Sequence, residues 1–217
     1  MSDDNRAESV VKYYVVANKL KQVLRTGWAA WEVKADRLES VAEHVYGVLM
    51  LAIAIQSEYR YEIDFAKTLL MLAIHETEEI LIGDLTPLQT SREEKQRKGH
   101  AAIIEVFAPL ADKEKLIELI LEFDARETLE AKFAYWCDKM ECNLQCRVYD
   151  EMGAFRLHGQ ENNPTVANDF IRELVMSEPD VSSAWTKFTE SYAEFDENFL
   201  AIDKYATSHK ITSQSSK

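Results

Sequence analysis

Three stretches of apolar sequence are interrupted by polar residues that could bind a metal. His44 is flanked by Val41, Val45 and Val48, and His75-Glu76 follows directly on Leu69-Leu-Met-Leu-Ala-Ile74. Asp138 comes after Phe133-Ala-Tyr-Trp136. A charge withdrawn from water is costly unless it is paired or bound to a metal. Taken singly, each histidine reads as a satisfied core residue. Taken together, His44, His75, Glu76 and Asp138 make a mixed imidazole and carboxylate set. Such a set suits one divalent ion of the Mn, Co, Fe, Ni or Zn group.

The segment His75-Glu-Thr-Glu-Glu79 adds a possible proton carrier. On a continuous helix, Glu79 shares a face with His75 four residues before it and Glu76 three before it. Glu79 would then sit beside the ligands as a general base or as an orienter of water. Asp84, just past Gly83, would point into the same cleft. Glu78 should face elsewhere and be solvated. A zinc-protease pattern requires histidine at position 79, where glutamate stands, so that reading is weak.

The elements that must carry these residues read as helices. There are 6 Gly and 4 Pro in 217 residues, so breakers are few, and apolar positions recur at helical spacing. Helices are expected at about 8–24, 40–58, 64–82, 91–108, 116–123, 127–151, 165–176 and 181–203. Ser40-Val-Ala-Glu43 has the form of a capping box and starts the second, which is apolar nearly all round and should lie at the centre. Gly83 suits the end of the third, and Asp84-Leu-Thr-Pro87 should then turn. Arg25-Thr-Gly-Trp28-Ala-Ala-Trp31 shows no period and reads as an ordered loop. The expected fold class is all-α: a single domain at 8–205, a bundle of about eight helices, with flexible tails at 1–7 and 206–217.

These residues resemble the HD-domain phosphohydrolases, in the branch of small helical 5'-deoxynucleotidases. The resemblance is carried by Arg25-Thr-Gly-Trp28, Arg37-Leu-Glu-Ser-Val-Ala-Glu-His44 and His75-Glu-Thr-Glu-Glu-Ile-Leu-Ile-Gly-Asp84-Leu-Thr-Pro87. Glu94-Lys95 and Glu130-Ala-Lys-Phe-Ala-Tyr-Trp-Cys-Asp138-Lys-Met-Glu complete it. It implies a metal held by His44, His75, Glu76 and Asp138, with Glu79 and Asp84 acting on the attacking water and the leaving group. It further implies phosphate binding by Arg25, and a nucleoside near Trp28, with Trp31 as an alternative. Lys95, and Lys132 as a second candidate, would offset phosphoryl charge. The implied reaction releases phosphate from (deoxy)nucleoside 5'-monophosphates, and a homodimer is implied at the family level. One departure stands out: the family's His-Asp doublet is His75-Glu76 here, a stem one methylene longer. An HD-fold hydrolase of another phosphorylated metabolite, or a nucleotide-binding protein with weakened catalysis, therefore remains open.

Composition narrows the partners. The 25 basic and 38 acidic residues leave a net charge of −13, which disfavours nucleic acid and anionic membranes. A small phosphorylated substrate is still compatible if a metal supplies local positive charge. No apolar run approaches the roughly 18 residues of a membrane span. Three cysteines, an odd number, argue for reduced thiols and a cytoplasmic setting. Cys137, Cys142 and Cys146 read as buried thiols, and His100 as a surface or interface residue. The 3–4 spacing of Trp185, Phe188, Tyr192, Phe195 and Phe199 reads as core or a dimer face.

Overall fold

The structure, a computed structural model, describes residues 3–86, 89–160 and 163–212. Among these there are eleven α-helices, two 3-10 turns and no strand beyond one isolated bridge. The helices are α1 (Asp3–Ala17), α2 (Thr26–Ala30), α3 (Val41–Tyr59), α4 (Phe65–Ile74), α5 (Glu79–Ile82) and α6 (Arg92–Phe107). They continue with α7 (Lys113–Ala125), α8 (Leu129–Glu151), α9 (Asp169–Ser177), α10 (Val181–Ala193) and α11 (Glu197–Ser208). The all-α expectation holds. Contacts divide the chain into two compact units, Met1–Thr26 with Glu39–Tyr135, and Gly27–Leu38 with Trp136–Lys217.

In the first unit, α3 packs on α4, α4 on α7, α7 on α6, and α6 on both α1 and α5. Helix α3 starts where the capping box is. Ser40 Oγ accepts from Glu43 N at 3.3 Å, and Ser40 N donates to Glu43 Oε2 at 2.8 Å. Its buried side carries Val41, His44, Val45, Val48, Ala52 and Ile55. Each large aliphatic side chain buried there contributes about 1.5–3 kcal/mol relative to exposure. The helix is not enclosed all round, however, because Tyr46, Met50 and Ile53 face out of it. Asp64 caps α4 by accepting from Lys67 N at 3.0 Å, and Ser91 caps α6 by accepting from Glu94 N at 3.2 Å.

The helix expected over 64–82 is two helices with a tight turn between them. His75 Nδ1 bonds the Leu72 carbonyl at 2.7 Å and so competes for an acceptor of the helical ladder. The backbone then follows an i to i−3 pattern: Thr77 N to Ile74 O at 3.0 Å, Glu79 N to Glu76 O at 3.1 Å, Ile80 N to Thr77 O at 3.3 Å. Gly83, at φ 73°, ends α5 with its N–H on the Glu79 carbonyl. Within the turn expected at 84–87, Pro87 lies outside the described residues.

The start of the chain also differs. Asp3–Ala17 is helical where residues 3–7 were expected as tail, and a 3-10 turn follows at Asn18–Gln22. Residues 1–2 lie outside the described residues.

The second unit is built around aromatic packing. Trp28 stacks on Trp185 with ring centroids 4.9 Å apart and meets the Tyr149 edge at 5.4 Å. Trp31, Phe155, Leu157, Leu174 and Val181 belong to the same core, and Trp185 and Phe188 of α10 pack against it, whereas Tyr192 is exposed. The segment expected as a loop around Trp28 contains the short helix α2. The last expected helix is divided into α10 and α11 at Glu194, φ 53°, with Asp196 capping α11. The C-terminal segment is docked as far as Thr212, contrary to the tail expected from 206. Glu151 accepts from Ile211 N at 2.8 Å, Thr212 N at 2.9 Å and Thr212 Oγ1 at 2.6 Å. Residues 213–217 lie outside the described residues.

Candidate metal centre

Three of the four expected ligands meet in the first unit. His44 comes from α3, and His75 and Glu76 from the turn after α4. Donor atoms of the three lie within 4.8 Å of one another. Glu76 Oε1 is 3.8 Å from His44 Nε2 and 3.7 Å from His75 Nε2. These separations exceed a hydrogen bond. They are shorter than the roughly 4.2 Å that two ligands about 2.1 Å from a common ion can span. Both imidazoles are fully enclosed, while the Glu76 side chain is 13% exposed.

The donor chemistry fits a divalent ion. The bond of His75 Nδ1 to the Leu72 carbonyl favours the tautomer whose Nε2 lone pair faces Glu76. A backbone carbonyl holding the outer nitrogen of an imidazole is a common support for a metal-ligating histidine. The longer stem of Glu76 does not prevent its carboxylate from reaching both rings.

Arg25 is brought to this group by the one isolated bridge, Leu24 with Ser40. Arg25 N donates to the Glu39 carbonyl at 3.0 Å, and Val41 N to the Val23 carbonyl at 2.8 Å. The guanidinium Nη1 lies 3.6 Å from Glu76 Oε1. Asp84 holds the next residue in place. Its Oδ2 accepts from Thr26 N at 2.6 Å, and its carbonyl accepts from Thr26 Oγ1 at 2.7 Å. Asp84 thus ties the Arg25 segment to the end of α5, a positioning duty that sequence reasoning did not assign.

Glu79 is 1% exposed, and its Oε1 accepts from Lys95 Nζ at 3.0 Å. Its Oε2 is buried without a hydrogen-bond partner. Burial pushes its carboxyl up to about 10, the charges of Glu76 and Asp84 add to this, and Lys95 opposes it. Burial works to lower Lys95, but Glu79, Glu76 and Asp84 outweigh it and raise its pKa.

Glu78 corrects the sequence expectation. It is only partly exposed, with Oε2 buried and without a hydrogen-bond partner. Burial, then the charges of Glu76 and Asp124, raise its carboxyl to about 8. A Cβ at Gly99 would lie 3.3 Å from Glu78 Cγ, so the missing side chain there lets α6 run close to the turn. Periodicity could not find this, because the i to i−3 turn shifts every side chain that follows His75.

Two expected site residues lie in the second unit. Asp138, on α8, is 3% exposed, and its Oδ2 is 2.7 Å from Lys139 Nζ. Trp28 is 1% exposed within the aromatic core. Trp185 and Tyr149 lie against its ring, and the indole packs in that core. Trp31, the alternative, is likewise core. Cys137, Cys142 and Cys146 are buried and in no disulfide, and burial pushes the thiols of Cys137 and Cys146 up. His100 Nε2 lies 2.8 Å from Asp124 Oδ2, which engages it in a hydrogen bond within the first unit.

The HD-domain family profile matches residues 17–174. The chain belongs to the HD-domain family. Among HD relatives, the 5'-deoxynucleotidase HDDC2 of Homo sapiens is 28% identical over 67% of this chain and 71% of its own length. That of Dictyostelium discoideum is 31% identical over 65% of this chain and 77% of its own. A conserved hypothetical protein from Pyrococcus furiosus superposes with a TM-score of 0.60 at 27% identity, over 76% of this chain and 96% of that one. The crystal structure of a predicted metal-dependent phosphohydrolase from Magnetospirillum magnetotacticum shares the fold. It has a TM-score of 0.58 at 20% identity, over 94% of this chain and 95% of that one.

Proposed function

We propose that this HD-domain protein is a metal-dependent phosphohydrolase that releases phosphate from (deoxy)nucleoside 5'-monophosphates. The observation that carries this reading is the enclosed His44, His75 and Glu76 group with Arg25 beside it. The names of the curated HD relatives support the substrate class. In the proposed centre, Asp138 completes the ligand set for a single ion of the Mn, Co, Fe, Ni or Zn group. A bound divalent ion supplies Lewis-acid charge and acidifies water.

The chain's own residues do the rest. Arg25 and Lys95 place positive charge where phosphoryl oxygens gain negative charge. Glu79, fixed through Oε1 by Lys95, has Oε2 left to exchange a proton with water. Asp84 holds the Arg25 segment through Thr26 and acts at the leaving group only in so far as its carboxylate is released from that bond. The buried reduced thiols suit a cytoplasmic enzyme, and self-association as a homodimer is part of the proposal.

The test is a phosphate-release screen of deoxynucleoside monophosphates against each of the five metals, on wild type and Asp138→Ala. Wild type should release phosphate with at least one metal, and Asp138→Ala should lose that activity. Nucleotide-induced thermal stabilisation with no phosphate release under any metal would instead favour the binding-protein reading that the Glu76 departure keeps open.

A further inference from the structure

Helix α1 has two faces of different use. Tyr13 stacks on Phe107 of α6 at 5.9 Å and seats the helix on the first unit. The opposite side carries Ala7, Val10, Val11, Tyr14 and Val15, within an arc of about 140° at about 100° per residue. Val10 is 63% exposed, Val11 60%, Tyr14 63% and Val15 56%. Four large apolar residues exposed together on one helix are an unusual surface for a monomer. The ends of the stripe carry opposite charges. Exposed Asp3 and Asp4 precede it, and exposed Lys19 and Lys21 follow it in the 3-10 turn.

We propose that this face of α1 is a self-association surface, on which a second copy of the chain packs its own α1 antiparallel. An antiparallel pair is isologous: Val10 faces the second copy's Val15, and Val11 its Tyr14. The same pairing brings Asp4 of each copy to the region of Lys21 of the other, whereas a parallel pair would set acid against acid. Residues 3–22 hold four basic and three acidic residues in a chain of net charge −13. Approach of two acidic molecules is therefore little opposed here. The proposal supplies a surface for the self-association included above and needs none of the catalytic residues.

Sedimentation of the full chain, at concentrations on the order of 1–100 µM, tests it in a range suited to a small interface. Wild type should form a dimer, and Val11→Glu with Tyr14→Glu should abolish it while retaining the helical circular dichroism. Because that variant carries a risk of misfolding, charge variants form a second arm. Asp4→Lys should weaken the dimer roughly tenfold, and Asp4→Lys combined with Lys21→Asp should restore it. A wild type that stays monomeric overturns the proposal. So does a dimer that survives Val11→Glu/Tyr14→Glu, which would move the interface to another face such as that of Tyr46, Met50 and Ile53. Failure of the charge swap to restore the dimer overturns the antiparallel arrangement. Phosphate release measured on the same samples separates this outcome from the fate of the catalytic reading.

Discussion

In the proposed mechanism, Lys95 is the residue that holds Glu79 in place. Its ammonium sits 3.0 Å from a carboxylate that is 1% exposed, in a region that also holds Glu76 and Asp84. Its removal leaves Glu79 buried among acids, and Lys95→Met should lower phosphate release by roughly 100-fold, a loss typical of removing one preorganised charge. Steady-state kinetics with saturating metal checks this, and unchanged turnover would remove Lys95 from the mechanism. The doublet can be tested in the same assay. Glu76 Oε1 already lies 3.8 and 3.7 Å from the two imidazoles. Shortening the stem in Glu76→Asp should draw the oxygen back, and we expect metal affinity to fall roughly tenfold. Titration of metal against activity measures it, and tighter binding by the variant would show that glutamate is the costlier choice at this position.

At the scale of elements, two local devices place the proposed ligands. The capping box at Ser40 and Glu43 sets the first turn of α3, and His44 is the next residue. Ser40→Ala should cost about 1 kcal/mol of stability, read as a shift in the urea midpoint with an unchanged slope. This box was legible in the sequence because it depends only on residue types three apart. The turn after α4 was not legible. No glycine or proline marks it, and it arises where the His75 ring takes the Leu72 carbonyl. Glu79 consequently reaches Lys95 by a tighter winding than continuous-helix spacing implies, and Glu78 is drawn inward beside Gly99.

The pH dependence of the whole molecule's stability is set in part within the second unit. Asp203 on α11 is 1% exposed and accepts from Asn143 Nδ2 on α8 at 3.0 and 2.8 Å. Burial pushes its carboxyl up to about 7; Glu190 on α10 adds to this, while bonds from Asn143 and Thr186 oppose it. The folded chain therefore keeps a proton that the unfolded chain releases above about pH 4. This contribution is fully present below that pH and is lost as pH rises through about 7. Urea unfolding of wild type and Asp203→Asn from pH 4 to 8 should show the variant gaining on wild type by a few kcal/mol, since each tenfold difference in proton affinity between folded and unfolded chain is worth about 1.4 kcal/mol. A difference that stays constant across the window would assign the proton elsewhere.

Helix type, the Ser40 cap, the acidic charge and the choice of His44, His75, Glu76 and Asp138 as candidate ligands all came from the chain itself. They depend on short-range spacing and composition, which tertiary contacts only elaborate. Three outcomes required the folded molecule: Trp28 committed to an aromatic core, Asp84 bound to the backbone of Thr26, and the apolar side of α1 left in solvent. Each depends on which distant segment arrives against a given face. An amphipathic pattern shows that a face is apolar but not what covers it, because the partner lies tens of residues away and is chosen by the packing of the whole unit.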